Sequence, residues 1–456
     1  MPLAAPTVAL IAGIVMVAQG TPRWPLLLAL AANIVLAVAV SRWPRVQSAL
    51  LVSGFVWVGM LSAQRVPPPV NPNMAAEAVV AGEPLEKPKT VAVDLLLPGQ
   101  DKTVRRYLWK DRCSLSLQPG DALVLHKVGD GYVPAADWQR GGNAFSRLSH
   151  WSRVRLRCLQ WRHRLLLRLH SQSADDDAYG VLAAMTLGDK TALSRQMRDA
   201  YAVAGLSHVL ALSGLHIGII YMLLTMGGRG RRRYWLWQVA AVLGLWTFAF
   251  LTGLSPSVVR ASLMLSICAV FSLGGRTGAS VNLLCLAAMA ILLCDASSLY
   301  DVGFQLSFVS VLSILLFMPL VNQLCPVRSR PLRWLRDVLG VSAVAQLGVA
   351  PLVAFYFGRF PTYFLLTNLI AVPVVMLMVY AGLAAVLFPS VAPVVLGGVE
   401  YVNKALGWIA QMPCSSIDGL HPSLLRVVLL YVLLAAVYLL ISRLSIAAHR
   451  SGWPRP

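Results

Sequence analysis

The stretch "TYFLLTNLIAVPVVMLMVYAGLAAVLF" occupies residues 362–388 and contains no Asp, Glu, Lys or Arg. A helix needs about 20 apolar residues to cross roughly 30 Å of hydrocarbon, so this run is long enough to span a bilayer. Its polar exception, Asn368, is followed by Pro373 inside the same run. Both features are costly in lipid and point to a helix that faces other protein or water on one side.

Working outward, similar runs recur along the chain. Three open it, at about 3–19, 24–40 and 46–63. Others lie near 205–226, 235–252, 256–274, 279–294, 300–318, 337–357, 395–410 and 423–441. Hydrophobic residues make up 57% of the chain and charged ones 13%, against about 25% charged in soluble domains. The expected fold class is therefore a polytopic α-helical membrane protein with about 11–12 spans. Several runs are short or broken by Gly and Pro, and non-helical backbone survives at membrane depth only where protein or water meets it. A water-filled path is expected. The N-terminus lacks a basic n-region and a cleavage motif, so its first run reads as a retained span.

Between the third and fourth runs the pattern changes. Pro67, Pro68 and Pro69 end the helical periodicity, since consecutive prolines remove donors and fix φ. Short β-like stretches follow at 76–81, 90–97, 104–109 and 122–127, separated by Gly, Pro and Asp. Such spacing predicts a small, OB-like extracytoplasmic β-barrel inserted after span three. Residues 146–170 then alternate Arg and Trp with Leu and Val, including Arg153, Arg155, Arg157, Trp161, Arg162 and Arg164. That composition suits a helix lying on the membrane surface; it equally suits phosphates and bases of a nucleic acid. Helices are expected at about 174–188 and 191–203, the second capped by Thr191 or Ser194. The chain thus divides into an N-terminal transmembrane module (1–65), a β-domain (66–145), an Arg/Trp-rich interfacial helix (146–172) and a larger membrane domain (173–456).

The formal charge is +20, from 39 Lys and Arg against 19 Asp and Glu, so lipid head groups or nucleic acid are the natural partners. Cytoplasmic loops collect positive charge. With the N-terminus inside, Arg42, Arg45, Arg229, Arg231, Arg232, Arg233, Arg276, Arg328, Arg330, Arg333 and Arg336 fall inside, while only Arg23 and Arg359 fall in short outside loops. This alternation places the protein in a bacterial plasma membrane with the β-domain outside. Glu400 and Lys404, four apart in the 395–410 run, are expected to pair on one helix face. The seven cysteines show no C-x-x-C spacing, which leaves no zinc or redox motif and no metal site expected. In an extracytoplasmic location Cys113 and Cys158 would be the candidates for a disulfide. No Walker-type loop with Gly-Lys-Ser/Thr occurs, so the chain holds no motor of that kind.

Polar groups inside the apolar runs mark the candidate site. Read as one helix, residues 205–218 carry His208, Ser213 and His216 on one face with Gly205, Gly214 and Gly218 nearby. Arg260 lies one turn beyond Pro256, and Asp301, Gln305, Gln346 and Asn368 follow further on. An ion pair between Arg260 and Asp301 is one reading of these two residues, and phosphate contact by Arg260 the other. Three function classes fit such a constellation: a conduit for a polyanion, a small-solute or lipid transporter with a midplane site, and an intramembrane hydrolase using Ser213 with His216. The last is weakened because residues three apart on a helix face sideways. A transporter should show an internal repeat, and none is found.

Four ordered stretches carry a resemblance. "GLSHVLALSGLHIGII" (205–220), "LTGLSPSVVRASLM" (251–264), "LYDVGFQLSFVSVLSILL" (299–316) and "APLVAFYFGRFPTYFLLTNLIAVPVV" (350–375) resemble the signature stretches of the ComEC competence domain. The segment "LAAMTLGDKTALSRQMRDAYAVAG" (182–205) looks like that domain's entry helices, and the likeness covers about 175–440. It implies an inner-membrane channel that imports single-stranded DNA during natural transformation, without a cofactor. It also implies a DNA receptor outside and a cytoplasmic ATPase or helicase as partners. Full-length family members add a metallo-β-lactamase-like nuclease domain. No His-x-His-x-Asp-His run occurs here, so nuclease activity is not expected and the chain is not expected to be an enzyme. His208, Ser213, His216, Arg260, Asp301, Gln305, Gln346 and Asn368 are the residues expected to line the path.

Overall fold

The computed structural model describes residues 2–16, 23–40, 42–64, 76–97, 103–125, 132–133, 138–173, 175–206, 209–227, 234–273, 280–410 and 416–450. The chain opens with α1 (Ala4–Met16), α2 (Arg23–Ala39) and α3 (Pro44–Ala63). Strands β1 (Ala76–Val80), β2 (Leu85–Glu86), β3 (Thr90–Leu96) and β4 (Thr103–Trp109) follow, then a single turn α4 (Arg112–Leu115). The sheet is completed by β5 (Ala122–Leu125), β6 (Tyr132–Val133) and β7 (Trp138–Arg140). Next come α5 (His150–His170), α6 (Asp176–Leu187), α7 (Arg195–Val203), α8 (Gly214–Met226), α9 (Tyr234–Leu251), α10 (Pro256–Leu273) and α11 (Val281–Cys294). The chain continues through α12 (Val302–Leu324), α13 (Arg330–Phe357), β8 (Arg359–Pro361), α14 (Phe364–Leu387), α15 (Ala392–Ala410), β9 (Ser416–Asp418) and α16 (Leu424–Arg450).

Seven helices, α3, α9, α10, α12, α13, α14 and α16, are long and apolar enough to cross a membrane. Four more, α1, α2, α8 and α11, are apolar but shorter, where the sequence leads one to expect about 11–12 spans. The shortfall has a visible cause at α8: the helix begins only at Gly214, the described residues just before it, 209–213, being irregular backbone. Large apolar side chains lie bare on the outer surfaces, among them Leu425, Leu429 and Leu433 of α16 at 56–67% exposure. So much exposed hydrocarbon is stable only in a hydrocarbon solvent. The 395–410 run becomes α15, which is not among the candidate spans. Its Lys404 and Glu400 pair at 2.6 Å as their spacing predicts.

The described residues group into two compact units. One comprises residues 1–67, 263–370 and 416–456, the other 68–262 and 371–415. In the first, α1 and α3 meet at glycines: a Cβ on Gly13 would overlap the Val56 carbonyl, and one on Gly59 the Leu10 carbonyl. Close backbone approach of this kind is how apolar helices gain contact in lipid. Leu10 and Ile14 then pack with Ala288, Leu292 and Phe304. Ser313 donates to the Val344 carbonyl at 2.7 Å and Tyr431 to that of Gly348 at 2.9 Å, tying α12 and α16 to α13.

The second unit holds the sheet, whose order is β6-β4-β3-β1-β5-β7 with β2 on β3. Among the described residues this is an open path, so the expected closed barrel is not what they show; both edges are short segments, β6 and β7. Val91, Val93 and Leu95 of β3 enter an apolar core with Ala78, Val80, Leu108 and Leu123. Their neighbour Leu96 points the other way, into a second cluster with Val79, Leu156 and Leu159 of α5. Two buried faces explain why apolar residues stand side by side in β1 (Ala78, Val79, Val80) and β3 (Val91, Ala92, Val93) instead of alternating. On β4 the period of two is clear, since Val104 and Leu108 face the core while Arg105 pairs outward with Asp94 at 2.7 Å.

Candidate functional site

The second unit contains three irregular segments between helices: 188–194, 209–213 and 252–255. They approach one another closely. Gly188 ends α6 in the left-handed region (φ 73°), and a Cβ there would come within 2.8 Å of a Leu212 methyl and 3.7 Å of Thr252. Only glycine fits both the conformation and the space. In the third segment Gly253 (φ 81°) is followed by Leu254 (φ 57°), the one described non-glycine at positive φ. A leucine held in that region costs roughly 1–2 kcal/mol, so the surrounding contacts must impose it.

Those contacts come from α5. Arg155 donates to the Gly253 carbonyl at 3.3 Å and Arg162 to the Thr252 carbonyl at 3.4 Å. Both acceptors lie just past the end of α9, where carbonyls lack helical partners and the helix dipole is negative. Arg162 is buried at 7% exposure, and burial lowers the Arg155 pKa. Next to Arg162 in sequence, His163 Nδ1 lies 3.0 Å from Glu83 Oε2 in the turn after β1. Burial raises the Glu83 pKa, against the pull of His163 and Arg162 downward. Asp189, also buried, accepts from the Thr191 hydroxyl at 2.8 Å and the Thr191 amide at 3.2 Å. Thr191 is thereby committed to Asp189, and Ser194 caps α7 by accepting from the Met197 amide at 3.1 Å.

The expected path residues divide between the two units. His208 lies outside the described residues. Ser213 is not on a helix face with His216, as the helical reading of 205–218 requires; it is the cap residue of α8. The two therefore meet, with His216 Nδ1 2.9 Å from Ser213 Oγ and accepting from the Ser213 amide at 3.3 Å. Gly205, at φ 78°, lies outside α8 as well. The contact closes the first turn of α8 as a capping box, which accounts for the Ser–His pair without catalysis. Arg260 sits buried on α10, whose next residue, Ala261, lies 3.9 Å from where a Cβ would stand on Gly214.

In the other unit, Asp301 caps α12 by accepting from the Gly303 and Phe304 amides, both at 3.2 Å. Gln305 donates to the Leu299 carbonyl and accepts from the Tyr356 hydroxyl at 2.8 Å. Gln346 is half-buried on α13. Asn368 lies on α14, its Oδ1 buried and without a hydrogen-bond partner among the described residues.

On α5 the candidate residues also separate. Arg153, Arg157, Trp161 and Arg164 are exposed, while Arg155 turns inward to the α9–α10 turn. Cys113 and Cys158, the expected disulfide partners, are separate thiols. Cys113 is exposed on α4, and Cys158 is half-buried on α5 with its pKa raised by burial. The sequence reading gave no role to Arg162, Glu83, His163 or Asp189. A helical wheel of α5 would have found Arg162, which shares a face with Leu159, Leu166 and Leu169. It also gave none to an outward stripe on β4, where Arg105, Tyr107 and Trp109 alternate and Lys87 lies 4.5 Å from the Tyr107 ring centre.

Long apolar helices with bare outer faces, interrupted by turns that bury ionisable groups, define a polytopic membrane protein with a polar interior site. Residues 185–444 match the family described as "Competence protein". The match covers more than half of the chain, which belongs to that family. Among curated relatives, the chain is 29% identical over 286 residues to ComE operon protein 3 of Bacillus subtilis (strain 168), covering 58% of this chain and 34% of that protein. It is 27% identical over 270 residues to Competence protein ComA of Neisseria gonorrhoeae, covering 55% of this chain and 37% of that one. An uncharacterized protein of Aquifex aeolicus (strain VF5) is 26% identical over 272 residues, 57% of this chain and 60% of that protein. The chain thus spans only about a third of the length of the first two. No solved structure matches.

Proposed function

We propose that the chain forms the inner-membrane passage through which one DNA strand enters the cell during natural transformation. The observation that carries the reading is Arg260: a guanidinium at 8% exposure on an apolar helix, in a unit where irregular segments bury polar groups. A polyanion needs fixed donors along a wet route, and irregular backbone at membrane depth needs water or protein around it. Ser213 and His216, in the same unit, are assigned to the same route.

The sheet serves as the outer guide. Its β4–β6 parallel pair and β5–β7 antiparallel pair place both edges on segments only a few residues apart in sequence. This supports an OB-type domain, with the Arg105–Tyr107–Trp109 stripe as a stacking platform for bases. Each phosphate crossing an inside-negative field is opposed by about 2.3 kcal/mol per 100 mV, so a cytoplasmic ATPase or helicase pulls and an outside receptor delivers. No catalytic step is assigned to the chain. A solute or lipid transporter is the competing class, and it predicts transport without DNA.

Substituting Arg260→Ala is expected to abolish internalisation of labelled DNA while surface binding and protein level stay normal, with Arg260→Lys retaining part of the uptake. Undiminished uptake by the alanine variant removes Arg260 from the route.

A further inference from the structure

The geometry points to the outer face of α5 as a docking surface for the anionic head groups of the surrounding bilayer. This inference does not depend on whether DNA passes through the protein. Arg153, Arg157, Trp161, Arg164 and Arg168 recur at intervals of four, four, three and four, and all five are exposed. At about 100° per residue they form one stripe, opposite the side that carries Leu156, Leu159, Arg162 and Leu166 into the protein. The helix contains no Asp or Glu, so the four arginines of the stripe have no acidic partner on their own element, and none of them is in a described ion pair.

The level of this helix is fixed by its contacts. Trp151 stacks on Phe250, the second-last residue of α9, at 6.1 Å between ring centres. Arg155 and Arg162 reach the two carbonyls immediately after α9 ends. Since α9 is a candidate span, α5 lies where a membrane helix emerges, which is the head-group level. The wheel also orders the stripe: Trp161 and Trp151 fall on the flank nearer the α9 end, and Arg153 and Arg164 on the flank nearer the sheet. Indole toward the acyl boundary with guanidinium above it is the arrangement of an interfacial helix. A surface built for bases would instead interleave aromatic and cationic groups along one line.

The test places the full chain in nanodiscs of phosphatidylcholine with or without phosphatidylglycerol. Emission from Trp161, isolated by difference from Trp161→Phe, is expected to be quenched by shallow brominated phosphatidylglycerol, in preference to the brominated choline lipid. Replacing Arg153, Arg157 and Arg164 together by Gln should cut that preference by about fivefold per arginine, on the order of 100-fold in all. The corresponding triple Lys variant keeps the charge and should keep the preference, which separates a charge effect from misfolding. The proposal is overturned if brominated lipid leaves Trp161 unquenched, or if the triple Gln variant retains the full preference. It is equally overturned if an oligothymidylate shields Trp161 from acrylamide in neutral nanodiscs and the Gln variant loses that shielding, because the stripe then binds nucleic acid.

Discussion

The sheet and the three irregular segments belong to one compact unit, yet they treat charge in opposite ways. In the sheet the interior is wholly apolar, from Ala78 through Leu125, and charges pair outward as Arg105 with Asp94, Lys110 with Glu86 and Arg140 with Asp121. Around the segments, Arg162, Asp189, His216, Thr252 and Arg260 are all buried. Exposed pairs of the first kind contribute about 0–1 kcal/mol each. Buried groups of the second kind cost several kcal/mol to desolvate and persist only where something else requires them. The sheet is built to be stable, and the turns are built around groups that stability alone would have removed.

The contrast can be broken experimentally. The largest loss is expected from Arg162→Ala, which strips the Thr252 carbonyl of its donor and leaves His163 as the partner of Glu83. About 3–5 kcal/mol should be lost, read by denaturant unfolding in micelles, and DNA uptake should fall with it. Leu108→Ala opens a cavity in the sheet core and should cost about 3 kcal/mol. Its effect should stay local, seen as faster amide exchange in β3 and β4 with the α9–α10 turn still protected. Equal deprotection of that turn by both variants would mean that the two regions are not energetically distinct.

The smallest effect concerns pH. Burial holds the folded Glu83 pKa above its ordinary value, so the folded chain binds more protons than the unfolded one between those two values. Stability should therefore fall as pH rises through that window, and Glu83→Gln should flatten the slope there. A slope unchanged in the variant would show that Glu83 does not titrate in contact with His163.

The limits of sequence reading follow the same contrast. Strands β1, β3, β4 and β5 were legible within a residue or two because a sheet buried on two faces leaves apolar residues side by side between turn residues. The Glu400–Lys404 pair was legible because it depends only on helical spacing. Residues 209–213 were misread as helix because Leu-rich, apolar sequence fits a helix equally well, and a contact that holds them outside one is distant in sequence: Leu212 packs over Gly188. Ser213 and His216 were singled out correctly, but their contact was not foreseen, since it requires Ser213 to stand outside α8. Arg162 was hidden among exposed arginines of the same helix, where composition cannot separate a guanidinium turned inward from its neighbours. The Cys113–Cys158 bridge failed because nothing in spacing tells two cysteines that they share a compartment but not a location.

The pairing of β1 with β5, and of β5 with β7, has a consequence for assembly. Ala76, where the sheet begins, is in register with Leu125, which is in turn in register with Trp138 near the sheet's last residues. Entry and exit are thus separated by two strand spacings, about 10 Å. The strands form a cassette with adjoining ends, one that translation completes only when β7 emerges.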